Sequence, residues 1–409
     1  PPPSGLGTTS SQRGLGDDPG RLTSNMLITD SAALKGFCEQ LQDVPYLAVD
    51  TEFLRDKTYH AQLCLIQVAH GQHAAAIDPL APGLDLGPLK ELLSRPGIVK
   101  VLHAATQDLE IFLQGMGEVP GPVFDTQIAA SVCGFGHQPG YAALVESILG
   151  ISIDKSSQAV DWSIRPMSDR QVEYAIGDVT HLCHVYERLL DELETQGRGA
   201  WVEEDMRALL DPTRYVVDPE EAYQRIKIRR PSRQQLAILR ALASWRERTA
   251  RERNLPRGWV ARDEALAEIA QHLPKDATAL ARVRGLKEPV ARGQDGRSIL
   301  EEVANAQALP EDEWPALKES RTPTGPGHDS LVALLQALLR LRADAHGVSG
   351  AMIAKRGDLE RLASEDEPDV EALSGWRRDV YGEGAQELKA GRLALTGVGD
   401  GVREVIVGT

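Results

Sequence analysis

The chain has 409 residues, 42% of them hydrophobic, and a formal charge of -15. That composition fills ordinary cores, excludes a disordered chain, and at this length points to two or three domains. No apolar stretch approaches the ~20 residues that cross a bilayer, and the N-terminus lacks a charged-then-apolar leader pattern, so a cytoplasmic protein with no membrane partner is expected.

Residues 1–25 are rich in Pro, Gly, Ser and Thr and read as a disordered tail. From Met26 to Arg214 strands and helices alternate. The pattern predicts strands at Tyr46–Val49, Leu63–Ala69, Ala74–Asp78, Ile98–Leu102 and Val123–Phe124. Helices are expected at Leu86–Leu93, from Gln107 to Leu113, at Thr126–Val132 and over Ser168–Glu187, with Ser168 as N-cap. Such alternation predicts a layered α/β domain over 26–214. Beyond it the strand signals fade. Ser232–Arg253, Arg262–His272 and Ser298–Ala308 are helical by periodicity, giving a small helical domain over 215–312. A Pro/Gly/Thr-rich linker at 313–328 leads to a second helical domain over 329–409. The stretch Asn254–Ala270 is similar to Gly347–Ala363, with Leu266 matching Leu359 at an offset of 93, which suggests two copies of one module. The cysteines Cys38, Cys64, Cys133 and Cys183 form no C-x-x-C pair and are expected to be reduced core residues.

The negative total hides one basic stretch. Arg225 to Arg257 holds eleven Lys and Arg against Glu247 and Glu252, a local +9. Such a patch can track phosphates, and a solvated helix face is the plain alternative.

Three short stretches place acids where acids are unusual. Asp50-Thr51-Glu52 follows an apolar strand, whose alternation puts both carboxylates on one face. Two adjacent carboxylates repel each other unless a cation lies between them. Asp108 follows His103 by five residues and opens a helix, where a lone Asp is often only a cap. Tyr174 and Asp178 stand at i and i+4 of a helical stretch and share a face. Each is weak alone; together, in this order, they are specific.

The pattern resembles the tyrosine-bearing branch of the DEDD exonuclease superfamily, and VDTEFLRDKTYHAQLCLIQVA, FDTQIAA and the stretch through YAIGDV are similar to ribonuclease D throughout. The helical modules resemble HRDC domains, the first more clearly than the second. The resemblance implies an α/β ribonuclease H-like exonuclease domain followed by two small all-α HRDC-type helical domains. It implies that Asp50, Glu52, Asp108 and Asp178 hold two divalent ions, and oxygen-only ligands favour Mg²⁺ or Mn²⁺ over zinc. Tyr174, whose ordinary pKa is about 10, then suits orienting the attacking water better than acting as a strong base.

Thr51, Phe53, His103, Gln107, Trp162 and Arg165 are expected to line the cleft for the terminal nucleotide, although Trp162 fits core packing equally well. Arg246, Arg251 and Arg253 are the expected phosphate contacts. The implied activity is that of a monomeric 3′→5′ exoribonuclease acting on RNA 3′ ends, tRNA precursors among them. Single-stranded DNA is an alternative substrate, and a non-catalytic RNA- or protein-binding module is a further alternative. A helicase accessory part is disfavoured, since no G-x-x-x-x-G-K-[ST] loop occurs.

Overall fold

A computed structural model describes residues 27–154, 160–317, 325 and 327–407. The expected tail at 1–25 and the middle of the expected linker lie outside the described residues. The first part of the chain forms a six-stranded mixed sheet in the order β1-β4-β3-β2-β5-β6. Its strands are β1 (Leu27–Ile28), β2 (Tyr46–Leu54), β3 (Gln62–His70), β4 (His73–Ile77), β5 (Val99–Leu102) and β6 (Val123–Asp125). β2, β3 and β4 run as an antiparallel meander, while β5 and β6 continue parallel to β2.

Alternation along β2 sorts its side chains to two helical layers. Leu47 and Val49 meet Leu34, Cys38, Leu109 and Phe112 of α1 (Ser31–Gln40) and of the helix at Thr106–Met116; α2 (Gly87–Leu93) lies on that side too. Tyr46 and Ala48 face the opposite layer, built by helices at Thr126–Val132, Tyr141–Leu149, Asp169–Thr195 and Gly199–Ala208. In chain order these five helices are α3 to α7. Buried apolar surface on both faces, at roughly 25 cal/mol per Å², is what makes a sheet of such short strands viable.

Two expectations are lengthened. The strand ending at Val49 runs on to Leu54, so Asp50 and Glu52 sit within it rather than after it, and a bulge follows between Glu52 and Phe53. The helix expected to end at Glu187 continues to Thr195 as α6, entered through a capping box between Ser168 and Gln171.

Tyr215 completes the first core, and Val217 already packs against the next. The first helical module comprises α8 (Arg233–Glu252), α9 (Arg257–Val260), α10 (Asp263–His272), α11 (Ala277–Leu280), α12 (Glu288–Arg292) and α13 (Gln294–Ala308). The second repeats that opening with α14 (His328–His346), α15 (Gly350–Ile353) and α16 (Arg356–Ser364). α15 and α16 begin 93 residues after α9 and α10, the offset seen in the sequence. Its last helix is broken by a π turn at Arg378–Gly382. The all-α expectation fails at the end of the chain. There β7 (Leu393–Val398) and β8 (Gly401–Ile406) pair as an antiparallel hairpin. Both modules rest on the α/β domain. Tyr59 and His60 donate their backbone N–H groups to Asn254, while Trp201 stacks on Trp376 at 4.4 Å and Arg377 pairs with Asp205 at 2.8 Å.

Candidate active site

The middle of β2 brings the first two acids together. Pleating points Asp50 and Glu52 to the face covered by α6, where Asp178 emerges from the middle of that helix. One carboxylate oxygen from each of Asp50, Glu52 and Asp178 lies within 4.8 Å of the others. Thr51, pointing the other way, donates its hydroxyl to Asp108 Oδ1 at 2.5 Å. Asp108 thus enters from the α3 side, 7% exposed, and is joined to the trio through the intervening β2 residue.

A turn absent from the sequence reading aims Asp108. Ala104 adopts φ 55, a left-handed conformation that costs an L residue about 1–2 kcal/mol. Asp125, at the end of β6, holds this turn by accepting from the N–H groups of Ala104 at 3.1 Å and Ala105 at 2.9 Å. The same carboxylate caps α4 through Gln127 and Ile128. α3 starts from this clamp and carries Asp108 in its first turn.

On α6 the i,i+4 spacing works as expected, and the Tyr174 side chain hydrogen-bonds the Asp178 carboxylate. Tyr141 donates its hydroxyl to the backbone oxygen of Asp178 and so fixes that turn from α5.

The electrostatics are those of a cluster lacking a counter-charge. Burial pushes Glu52 up to about 9, and the charges of Asp50, Asp178 and Asp108 add to this. Burial and then Asp50 push Asp108 to about 8, against the pull of the Thr51 hydroxyl. Asp178 rises to about 8 for the same two reasons, against its bond to Tyr174. Burial lifts Asp50 to about 6. Four carboxylates close to one another, Asp108 and Asp178 buried and Asp50 and Glu52 half-buried, require either protons or cations. Oxygen donors at this spacing fit hard divalent ions.

Comparison with known proteins supplies the rest. The 3′-5′ exonuclease family matches residues 25–194, and the HRDC domain family matches residues 235–303. Ribonuclease D of Granulibacter bethesdensis is 45% identical over 388 residues, covering 95% of this chain and 98% of its own length. Ribonuclease D of Gluconacetobacter diazotrophicus is 47% identical, with 92% and 95% covered. The chain belongs to the ribonuclease D family. The crystal structure of Escherichia coli RNase D, an exoribonuclease involved in structured RNA processing, superposes with a TM-score of 0.79 at 35% identity. That superposition covers 89% of this chain and 98% of the other. The activity is that of a 3′→5′ exoribonuclease with an α/β catalytic domain and a helical C-terminal region.

Within this ribonuclease D framework the remaining expected residues divide. Thr51 reaches the acids through Asp108; Phe53 is half-buried just past the bulge, and Gln107 is exposed in the first turn of α3. His103 lies 3.0 Å from Thr126 Oγ1 through Nδ1 and 3.1 Å from the Pro139 carbonyl through Nε2. Burial lowers its pKa against the pull of Asp125, and because the Pro139 carbonyl can only accept, Nε2 is the donor in that contact.

Trp162 is 2% exposed and packs with Leu65, Ala175 and Ile176, its ring 6.3 Å from that of Tyr174. It backs the tyrosine and has no open face for a base. Arg165 forks onto Asp78 with two 2.7 Å bonds and also holds the carbonyls of Trp162 and Cys64. It ties the loop before α6 to the sheet instead of facing a substrate.

The three expected phosphate contacts are likewise paired within the protein, with Arg246 buried, Arg251 half-buried and Arg253 exposed. Arg246 is 5% exposed and bonds Asp263 at 2.6 Å and the Ala261 carbonyl. Arg253 forms two bonds to Asp295. Arg251 meets Tyr59 and Glu247 at the junction between domains. These three arginines hold the module and its junction together, while Arg225, Lys227, Arg229 and Arg230 of the same stretch are exposed. Sequence reasoning missed Asp125, Tyr141 and Gln67. Gln67 is opposite Asp50 in register, fully buried, with neither amide atom hydrogen-bonded among the described residues. The four cysteines are free and buried, as expected. No described helix is long and apolar enough to cross a membrane.

Proposed function

We propose that Asp50, Glu52, Asp108 and Asp178 hold two divalent ions, Mg²⁺ or Mn²⁺, and that the chain trims the 3′ ends of structured RNA, tRNA precursors included, as a cytoplasmic monomer. The observation that carries the metal assignment is the oxygen triad within 4.8 Å, whose members all have raised proton affinity. Bound ions supply a lowered water pKa and neutralise charge on the phosphate and the leaving 3′ oxygen.

The chain's own contribution is placement. β2 and α6 present three carboxylates from opposite sides, and the Ala104 turn presents the fourth. Tyr174, with its hydroxyl bonded to Asp178, is positioned to orient a water for in-line attack. An ordinary phenol is a weak base for water, so the hydroxyl suits holding the water rather than removing a proton. Likeness to an exoribonuclease of structured RNA supports the substrate class.

The test uses wild type and Asp50→Asn with tRNA extended at its 3′ end, labelled at the 5′ end, and a matched single-stranded DNA. A Mg²⁺-dependent ladder shortening from the RNA 3′ end, absent in the variant and in chelator, is expected. Equal shortening of the DNA would widen the substrate class. RNA bound without shortening would refute the catalytic reading.

A further inference from the structure

A cavity of about 440 Å³ lies where the α/β domain meets the first helical module. Its walls come from both sides. Arg55 and His60 flank the β2–β3 connection, Glu110 comes from α3, Val216 from the crossover segment, and Arg251 and Arg257 from the module. The volume falls within the range of small-molecule sites. Three guanidiniums face two carboxylates, Glu110 and the buried Glu247, which leaves one positive charge in excess.

Unpaired polar atoms remain there. Arg55 pairs with Glu110 at 2.8 Å, yet its Nε has no hydrogen-bond partner, and neither has the buried His60 Nδ1. Val216 is 56% exposed and offers an apolar wall. A separate observation points the same way. Trp259, two residues after Arg257 in the single turn of α9, is 63% exposed. Trp259 stands outside the cavity wall, two positions from Arg257, where an exposed indole can stack a base of the adjoining strand without regard to sequence.

The cavity also lies at a useful distance. Arg55 is three residues beyond Glu52, just past the end of β2, and Gln114 is six beyond Asp108 on α3. At strand and helix rises both separations are about 10 Å.

We propose that this cavity holds an internal nucleotide of the RNA strand upstream of the scissile 3′ end, with its phosphate on Arg55 and a neighbouring base on Trp259. The site extends the active-site reading above and rests on it. It makes the first helical module part of the substrate path rather than an appendage. Arg246 and Arg253 of the module are taken by Asp263 and Asp295, whereas Arg251 and Arg257 line the junction itself.

The experiment compares wild type, Arg55→Gln and Trp259→Ala as full chains with Mg²⁺. One substrate is a dinucleotide, whose single phosphodiester is the scissile one; the other is a single-stranded dodecanucleotide. In both variants kcat/KM for the longer RNA is expected to fall about tenfold further than for the dinucleotide, through KM. Binding of the longer RNA in chelator is measured between about 50 and 200 mM salt. Its logarithmic salt slope is expected to be shallower by about 0.7 in Arg55→Gln and unchanged in Trp259→Ala. Equal losses on both substrates, or no loss, would overturn the proposal, as would an unchanged slope in Arg55→Gln. A wild type that shortens neither RNA would overturn the active-site reading and this inference together.

Discussion

Replacing Asp50 by Asn should stabilise the metal-free protein while abolishing its activity. Burial lifts the Asp50 carboxyl from 3.8 to about 6. Its proton therefore favours the folded state, fully below the ordinary value, and that contribution is lost as pH rises through about 6. At neutral pH and above, the ionised group costs about 3 kcal/mol from a shift of this size. Its charge also raises Glu52, Asp108 and Asp178. Asn removes the charge but leaves a buried amide to satisfy, so a net gain of about 2 kcal/mol is expected. For a domain of this size that corresponds to a Tm rise of about 4–8 °C.

The assay is a thermal melt of both chains in chelator near pH 8 and near pH 5. The gain should appear at the higher pH and shrink at the lower one, where both chains are largely uncharged at this position. Added Mg²⁺ should then raise the Tm of wild type far more than that of the variant. Turnover should fall by about 10²–10³-fold or more. A variant that melts below wild type by the same margin at both pH values would refute the argument. Asp50 would then be an ordinary structural carboxylate.

Three further outcomes follow from the same geometry. Tyr174→Phe keeps the ring against Trp162 and deletes only the hydroxyl bonded to Asp178, so kcat should fall about 10²-fold with KM little changed; a selective rise in KM would place the hydroxyl on substrate binding instead. Because Glu52 sits near 9 and Asp108 and Asp178 near 8, metal binding at neutral pH must displace protons, and affinity for Mg²⁺ should rise with pH up to about 9. Calorimetric heats that do not depend on the buffer's ionisation enthalpy would contradict this. Asp78→Asn breaks the fork to Arg165; Asp78 is 4% exposed and Arg165 keeps a quarter of its side chain in solvent, so a loss of about 2–3 kcal/mol is expected, and an unchanged melt would show that the loop before α6 is held by other contacts.

The acids were legible because each motif has the period of its own element. Asp50 and Glu52 are two apart on a strand, and Tyr174 and Asp178 are four apart on a helix, so local geometry alone pairs them. Asp108 was weaker, since what aims it is a left-handed alanine clamped by Asp125 from another strand. The partners that redirected other residues are distant in the chain. Arg165 meets Asp78 across 87 positions, and Arg246 is covered by a helix that starts 17 positions later. Charge counting cannot see such pairings, and so the basic stretch looked freer than it is. The C-terminal hairpin did have a signal: alternating strands around the Gly399-Asp400 turn, inside a segment otherwise read as helical.

The two modules are fastened to the segments that lead away from the acids. β2 carries Asp50 and Glu52 and runs straight into the connection where Tyr59 meets Glu247, Arg251 and Arg257 of the first module. α6 carries Tyr174 and Asp178 and ends at α7, where Trp201 stacks on Trp376 and Arg198 donates to the His346 carbonyl of the second. Each half of the carboxylate cluster is therefore braced by a different helical module. Rigid strands and helices transmit small displacements along their length, so shifting either module should change how closely β2 and α6 approach one another. The spacing of the oxygens, on which any ion depends, is in this sense a property of the whole chain and not of the α/β domain alone.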